Sequence, residues 1–274
     1  MGRRIVVAIL LTLIILSVTR RLSVSKPGDV EFKRNGVEVF HRTVPGVLEF
    51  TEPQISVRVK SKDTVLCYLE LIDKDKSRRL IPMNKGDDGR WNVTLPAYGR
   101  GTKVKYALLI DTGSFGKVRV PEEGGKYFTV KYKGRISDFV LVSHIVFMFA
   151  SFFFMVLSLF GAVRILKGLE GKKVTANLVR WVLLTTFVGG WPLGCILNYQ
   201  AFGVVWEGFP FGYDVTDNKT QIMFVFWIIT SILAGGSVFM GDESKDKLNT
   251  RQFAISVIVS VLVSIGIFLI PHSL

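Results

Sequence analysis

"FVLVSHIVFMFASFFFMVLSLFGAV", residues 139–163, decides the fold of this chain. The stretch runs for 25 residues without a single Asp, Glu, Lys or Arg. A helix needs about 20 predominantly apolar residues to cross the hydrocarbon core of a bilayer. The stretch is therefore long enough to span a membrane with some tilt.

Three further apolar stretches follow, at 181–197, 222–240 and 253–271. Each is close to the length that a membrane span requires once a few flanking residues are included. We therefore predict a bundle of four transmembrane helices over residues 138–274.

The N-terminus, residues 1–20, predicts a fifth span. Arg3 and Arg4 precede an apolar run, and Arg20 and Arg21 follow it. The flanking arginines can snorkel to the interfaces and so lengthen a short span. Because small residues at a cleavage site are missing, we favour an uncleaved signal anchor, with a cleaved secretory signal as the alternative.

The composition agrees with a membrane protein that has a large water-exposed part. The 274 residues are 49% hydrophobic, yet they include 35 Lys and Arg. Residues 20–137 hold 24 Lys and Arg against 14 Asp and Glu, a difference of +10 within the total of +13. The excess predicts attraction to an acidic extracytoplasmic partner, which could be anionic headgroups, a polyanionic envelope polymer or an acidic protein. A solvated basic surface is the alternative, and nucleic acid is not expected.

Residues 30–133 predict an all-β domain. Short runs rich in β-branched and aromatic residues alternate with turn-forming residues, a pattern typical of an antiparallel sandwich. The runs are "QISVRVKS", "TVLCYLELID", "WNVTLPA", "TKVKYALLID" and "KYFTVKYKG". Cys67 lies in one run and Cys195 in an apolar helix, so we expect no disulfide between them.

"DGRWNVTLPAYGRGTKVKYALLID", residues 88–111, resembles bacterial immunoglobulin-like and fibronectin-like modules. The resemblance implies that Trp91 fills the core, that Pro96 ends a strand and that Tyr106 starts the next one. The predicted fold class is therefore mixed: an N-terminal membrane anchor, an all-β immunoglobulin-like sandwich, then a four-helix transmembrane α bundle.

Basic residues in the short loops predict the orientation, because such loops stay in the cytoplasm. One side holds Arg3, Arg4, Arg164, Lys167, Lys172, Lys173, Arg180, Lys245, Lys247 and Arg251. The connector 199–219 offers only Lys219. We expect a multi-pass protein of the bacterial inner membrane, with a cytoplasmic N-terminus. The β domain, this connector and the C-terminus would then be extracytoplasmic.

Small residues mark helix-packing faces. Ser256, Ser260 and Ser264 recur every four residues, and Gly190 and Gly194 form a G-x-x-x-G pair. Small residues let helices approach closely in lipid, either inside one bundle or against another subunit. Pro192 lies between the two glycines and breaks the helix, which is compatible with a structural kink or with a small transporter or channel.

His144 is the one histidine within a predicted span, and His272 follows the last span at the same predicted surface. Two histidines at one level could bind haem b or a metal ion, and a hydrogen-bonded structural His144 is the simpler interpretation. Common nucleophile, metalloprotease and nucleotide-binding motifs are missing from the sequence, so we do not expect an enzyme.

The connector "WEGFPFGYDVTDNKTQ", residues 206–221, combines aromatic and capping residues. Asp217 or Asn218 fits the N-cap of the following helix, with Gln221 completing a capping box. The aromatics suit the membrane interface. They are Trp206, Phe209, Phe211 and Tyr213. We expect the connector to fold against the membrane-proximal edge of the sandwich as a structural clamp, with a ligand or partner site as the alternative.

"PFGYDVTDNKTQI", together with "YKGRISDFVLVSHIVFMF" and "GGWPLG", resembles a family of bacterial integral membrane proteins of uncharacterised function. The likeness spans most of residues 130–235. It implies the same loop and histidine as residues to test, and no transferable activity. They are His144, Asp214, Thr216, Asp217, Asn218 and Lys219.

These features together predict a non-catalytic accessory or scaffold subunit of a bacterial envelope membrane complex, which docks partners through the basic outward-facing β-sandwich and the 206–221 connector. Its expected partners are membrane lipids, other membrane-complex subunits and the acidic partner named above. A haem- or metal-binding electron-transfer subunit using His144, and a small transporter or channel, are the two alternatives.

Overall fold

The computed structural model describes residues 2–23, 27–34, 36–73, 75–113, 116–122 and 125–270. The predicted fold class is confirmed: an N-terminal helix, a β region and then further helices follow one another along the chain. The chain divides into two compact units. The membrane unit comprises Met1–Val24, Ile136–Tyr199 and Val204–Leu274, and the sandwich unit comprises Ser25–Arg135 and Gln200–Gly203.

The sandwich unit holds eleven strands in the described part of the chain. They are β1 Asp29–Arg34, β2 Val37–Arg42, β3 Gly46–Leu48, β4 Gln54–Lys60, β5 Leu66–Ile72, β6 Arg78–Pro82, β7 Asn84–Lys85, β8 Trp91–Thr94, β9 Lys103–Asp111, β10 Lys117–Val120 and β11 Phe128–Lys133. One sheet has the order β1-β2-β4-β8-β7, and the other has the order β3-β11-β9-β5-β6 with β10 also on β9. All pairs are antiparallel except β3 with β11.

The sandwich core forms where alternate residues of the strands turn inward. Tyr106 and Tyr132 are fully buried, and the Tyr132 hydroxyl donates to the Pro96 carbonyl at 2.8 Å. The sequence prediction for the core was partly wrong. Trp91 packs against the core cluster but stays half-buried, and Tyr106 lies inside β9 rather than at its start.

His41 is a buried polar residue within this core, 3% exposed. Its Nδ1 donates to the Ser56 carbonyl at 2.9 Å, so in the neutral ring Nε2 accepts from the Tyr106 hydroxyl at 2.7 Å. Burial lowers the pKa of His41, and the hydrogen bond to Ser56 opposes that shift. The folded sandwich therefore favours the neutral imidazole.

We expect the sandwich to lose stability as the pH falls below the ordinary histidine pKa of about 6.5. Above that pH both the folded and the unfolded chain hold neutral His41, and the full stability is present. Below it the unfolded chain binds a proton that the folded chain resists, so the free energy of unfolding falls by up to about 1.4 kcal/mol per pH unit until the folded pKa is reached. Thermal unfolding of the purified protein between pH 8 and pH 5 measures this slope. His41→Phe should flatten it, and an unchanged slope in that variant would assign the effect to other groups.

The membrane unit is helical. Its elements are α1 Gly2–Ser23, α2 Asp138–Leu166, α3 Lys172–Val188, a π-helical segment Gly189–Leu193, α4 Gly194–Phe202, α5 Val215–Leu233, a second π-helical segment Gly236–Met240, a 3₁₀ turn Glu243–Lys245 and α6 Thr250–Leu269. Helix α2 packs against α1, α3 and α6, and α5 packs against α3 and α6.

Four helical segments in the described residues are long and apolar enough to cross a membrane: Gly2–Thr19, Asp138–Leu166, Lys172–Phe202 and Thr250–Leu269. Between 17% and 33% of each hydrophobic window is buried, so most of their apolar surface faces outward. Such exposed apolar surface is consistent with a multi-pass membrane protein. The span at 222–240 stays a prediction, because α5 begins with two polar turns and its helix is interrupted after Leu233.

Candidate functional site

Helix α5 begins at Val215, within the 206–221 connector, and Asp214 caps that helix. Its Oδ1 accepts from the backbone N–H groups of Thr216 at 2.8 Å and Asp217 at 3.2 Å. The cap predicted at Asp217 or Asn218 was therefore placed three or four residues too late. A full capping box does exist, but at the start of α6. There the side chains of Asn249 and Gln252 each accept a hydrogen bond from the other residue's backbone N–H.

Asp217, in the first turn of α5, instead ties Glu207 of the connector to Asn198 of α4. This carboxylate is 6% exposed. It accepts from Asn198 Nδ2 at 3.0 and 3.1 Å and from the Glu207 backbone N–H at 2.7 Å. We call Asn198, Glu207 and Asp217 the Asp217 cluster. A single buried carboxylate thereby joins α4, the connector and α5.

Two neighbours of Asp217 make further ties. Asn218 Oδ1 accepts from the Phe209 backbone N–H at 2.7 Å. Lys219 is 7% exposed, and its Nζ donates to the Ile270 carbonyl beyond the end of α6. The polar residues of the connector motif thus bond to backbone groups of the membrane unit. Thr216 contributes its backbone, since its carbonyl accepts from the Thr220 hydroxyl at 3.2 Å.

The aromatic residues of the connector divide into two groups. Trp206 stacks on Trp191 with ring centroids 4.6 Å apart and planes 11° from parallel. Phe209, Phe211 and Tyr213 are 63%, 83% and 90% exposed. Exposed rings beside a membrane span are typical of the interfacial belt, so these three suit contact with lipid headgroups.

The helix break at Gly189–Leu193 lies beside His144. The half-buried His144 donates from Nδ1 to the Gly189 carbonyl at 2.9 Å. Pro192 lies within the π-helical segment, where carbonyls freed by proline need other partners. The Gly189 carbonyl also accepts from the Gly194 backbone N–H, so His144 adds a second bond to it and ties α2 to the helix break. The second predicted ligand, His272, lies outside the described residues.

The two glycines of the predicted G-x-x-x-G pair behave differently. A Cβ added at Gly190 would lie 2.6 Å from Thr220 Cγ2, so Gly190 permits close packing against α5. The nearest atom to a Cβ at Gly194 would be the Gly189 carbonyl oxygen at 3.6 Å, an ordinary contact. Gly189 is the second close-packing position, because its Cβ would lie 3.0 Å from Met148 Sδ on α2.

The serine stripe of α6 faces α5. Thr230 Oγ1 lies 2.6 Å from Ser256 Oγ and 2.9 Å from Ser260 Oγ. Trp227 Nε1 donates to Ser264 Oγ at 3.0 Å. The small residues thus bond within the bundle, and this face is occupied by the protein's own helix.

A second helix break, at Gly236–Met240, was not predicted. Arg180 on α3 donates from Nε to the Val238 carbonyl at 2.7 Å, just as His144 does at the first break. A Cβ at Gly236 would overlap the Asp242 carbonyl oxygen, so only glycine fits there. The pair Gly235-Gly236 was the available sequence signal.

An ion pair near this break was also missed. Lys172 Nζ lies 2.9 Å from Asp246 Oδ2 and donates to the Leu248 carbonyl at 2.7 Å. The two side chains are only 4% and 1% exposed. Asp246 also accepts from the backbone N–H of Ser237 at 2.8 Å and from its hydroxyl. This pair joins α3 to the segment that precedes α6.

Glu170 makes a more exposed ion pair at the same end of the membrane unit. Its carboxylate lies 2.9 Å from Arg4 and 2.5 Å from Arg164. The bond from Arg4, followed by that from Arg164, holds the pKa of Glu170 below its ordinary value. Glu170 contacts Arg4 at the start of α1 and Arg164 at the end of α2. It lies two residues before Lys172, which pairs with Asp246 in the segment before α6. These three segments therefore share one end of the membrane unit.

The sandwich unit carries its own candidate surface. Arg42, Arg58 and Lys60 are exposed on the outward face of β2 and β4, and we call them the cationic face. Among the described residues, no carboxylate lies within 4.0 Å of their charged groups. The same outward face also carries Asp29, Glu31 and Glu38, and the strand register places Asp29 opposite Arg42 and Glu38 opposite Lys60. The three cations therefore lack a close ion pair, on a face that also holds negative charge.

No protein-family model matches the chain, and no curated protein matches it. The family resemblance of residues 130–235 therefore stays a prediction. Within the described residues, no group of three or more His, Cys, Asp and Glu is placed to hold a metal ion.

Proposed function

We propose that this protein is a non-catalytic accessory or scaffold subunit of a bacterial envelope membrane complex. The membrane unit anchors it, and the sandwich unit docks an acidic extracytoplasmic partner. The observation that carries the proposal is the cationic face, where Arg42, Arg58 and Lys60 stand without carboxylate partners among the described residues. Cations without a close carboxylate partner on a folded surface favour association with an oppositely charged partner.

The polar side chains of the membrane unit support a scaffolding role. Asp217 is bonded to Asn198 and Glu207, and Lys172 is bonded to Asp246. These bonds fix the helices and the connector relative to one another within the unit. A rigid helical anchor of this kind suits a protein that positions partners.

The proposed orientation places the N-terminus in the cytoplasm of the inner membrane and the sandwich outside. Arg4, Arg164 and Lys172 meet acidic partners at one end of the membrane unit. Short loops rich in Lys and Arg stay in the cytoplasm, so we assign this end to the cytoplasmic side. The contact between Arg4 and Glu170 also favours a retained anchor over a cleaved signal.

A small transporter or channel is the second candidate, favoured by the two helix breaks. Broken helices in opposed positions bind substrates in several transporter folds. Here each break has a carbonyl bonded to a side chain, Gly189 to His144 and Val238 to Arg180.

A haem- or metal-binding subunit is the third candidate function. The hydrogen bond from Nδ1 of His144 leaves Nε2 as the ring atom that can bind a metal. An intense Soret band in the purified protein would support the haem candidate.

The test of the proposal combines topology with assembly. In a variant with Cys195 replaced by Ser, cysteines at Lys85 and Tyr213 should react with a membrane-impermeant thiol reagent in spheroplasts. One at the exposed Lys173 should not. Burial raises the pKa of the Cys67 thiol to about 12, so it should not compete. The same protein, extracted from native membranes, should migrate with a stoichiometric partner. Labelling at Lys173 alone, or a protein that migrates only as a monomer, would contradict the proposal.

A further inference from the structure

The outward face of α3 changes from polar to apolar along the helix. Lys173, Asn177 and Arg180 are exposed and follow one another at steps of four and three residues, so they share one face of the helix. Leu184 and Phe187 continue this face and are 49% and 46% exposed. We call these five residues the α3 stripe. Its polar half and its apolar half suit a helix that passes from the water interface into lipid.

Arg180 is the cation that lies furthest into the helix. It belongs to the candidate span Lys172–Phe202, where an arginine is costly unless it meets a partner. Its Nε donates to the Val238 carbonyl at 2.7 Å. Among the described residues, its remaining N–H groups have no acceptor. The bond to Val238 therefore orients the planar guanidinium and leaves its terminal fork, Nη1 and Nη2, for a ligand.

The acidic residues at this end of the membrane unit do not neutralise the stripe. They are Glu170, Asp242, Glu243 and Asp246. Glu170, Asp242 and Asp246 pair with other cations, and Glu243 is exposed. Within the described parts of the chain, no carboxylate lies within 4.0 Å of the charged groups of Lys173 or Arg180. The stripe itself contains two cations and no acidic residue.

Exposed apolar side chains border the cations of the stripe. Trp181 follows Arg180 on α3 and is 44% exposed. The bond from Arg180 joins α3 to the second helix break, where Phe239 and Met240 are 56% and 68% exposed. A soluble anion would leave these apolar residues uncovered. A phospholipid covers both parts, since it carries a phosphate next to acyl chains.

We infer that the α3 stripe binds an anionic phospholipid, with its phosphate on Arg180 and Lys173 and an acyl chain along Leu184 and Phe187. The guanidinium fork matches two phosphate oxygens, and basic sites on transmembrane helices bind anionic headgroups. A zwitterionic lipid is disfavoured, because its ammonium group would meet two cations. The inference goes beyond the docking proposal and uses none of the residues of the cationic face, so either can fail without the other.

The experiment uses the full-length protein in neutral detergent, with lipid binding measured by native mass spectrometry. The probes are phosphatidylglycerol and phosphatidylcholine with the same acyl chains. Lys173→Ala with Arg180→Ala should weaken binding of phosphatidylglycerol by about tenfold or more, and should leave binding of phosphatidylcholine unchanged. The matched control is Lys247→Ala with Arg251→Ala, which removes the same charge from exposed positions before and within α6. It should bind phosphatidylglycerol like the unaltered protein.

A second variant separates lipid binding from the bond of Arg180 to the helix break. The side chains of Lys173 and Asn177 make no hydrogen bond or ion pair with the described residues. Lys173→Ala with Asn177→Ala should therefore keep the unfolding temperature and weaken binding of phosphatidylglycerol by about fivefold. Arg180→Lys keeps the charge but loses the fork, so it should weaken binding less than Arg180→Ala.

Three results would overturn the lipid site. Equal losses in the stripe variant and in the control would show that only net charge matters. Equal binding of the two lipids to the unaltered protein, or displacement of phosphatidylglycerol by millimolar glycerol 3-phosphate, would remove the selectivity for an anionic lipid. Normal binding by Lys173→Ala with Asn177→Ala would leave Arg180 as a structural cap of the second break. None of these results bears on docking by the sandwich unit.

Discussion

Replacing Lys172 by Met is expected to destabilise the membrane unit by about 3 kcal/mol or more, because it leaves a buried carboxylate without its cation. The side chains of Lys172 and Asp246 are 4% and 1% exposed, so water cannot replace the missing charge. Asp246→Ala should cost still more, up to about 5 kcal/mol. That change removes the acceptor of Ser237 as well as the partner of Lys172.

The measurement is the free energy of unfolding in bicelles by steric trapping. Lys173→Met is the matched control, since Lys173 is the exposed neighbour and should change stability by less than about 0.5 kcal/mol. In the double variant Lys172→Met with Asp246→Ala, the cost should fall well below the sum of the two single costs, because neither charge is then left alone. Equal effects at Lys172 and Lys173 would show that the pair contributes no more than a surface bridge.

The sequence predicted those parts of the fold that depend on local pattern. Long apolar stretches indicated the membrane helices, because lipid requires apolar residues along the whole span. Alternation and turn residues indicated β4, β5, β8, β9 and β11. The hairpin of β1 and β2 was missed, since "DVEFKR" carries charged residues at alternate positions and one of its faces is exposed.

The contacts of the candidate site depend on pairs far apart in the sequence. Lys172 and Asp246 are separated by 74 residues, and no single sequence specifies which cation meets which carboxylate. The cap was misplaced for a local reason, because Asp214, Asp217 and Asn218 are all good N-cap residues and only the path of the chain selects among them. The pair Gly235-Gly236 predicts a weak helix, but it does not predict that the Val238 carbonyl accepts a hydrogen bond from Arg180.

Asp217→Ala is expected to destabilise the membrane unit by about 2 to 3 kcal/mol, because hydrogen bonds to a charged acceptor contribute more than neutral ones. The change orphans Asn198 Nδ2 and the Glu207 backbone N–H. Asn218→Ala loses one bond, to the Phe209 N–H, and Asp214→Ala loses a helix cap. Each of these should cost about 1 kcal/mol. The same unfolding assay measures the three losses of stability. The loss should be largest for Asp217→Ala and smaller for Asn218→Ala and Asp214→Ala.

An exchange of the two partners separates a structural tie from a ligand site. Asp217→Asn alone should cost stability, because a charged acceptor is lost and Asn198 must turn its amide to offer Oδ1 to the introduced Nδ2. Adding Asn198→Asp restores a charged acceptor for the introduced amide, whose own oxygen can still accept from the Glu207 N–H, so most of the lost stability should return. If the Asp217 cluster is purely structural, assembly with partners will follow stability through this whole series. Recovery of stability without recovery of assembly would instead show that the Asp217 carboxylate itself contacts a partner.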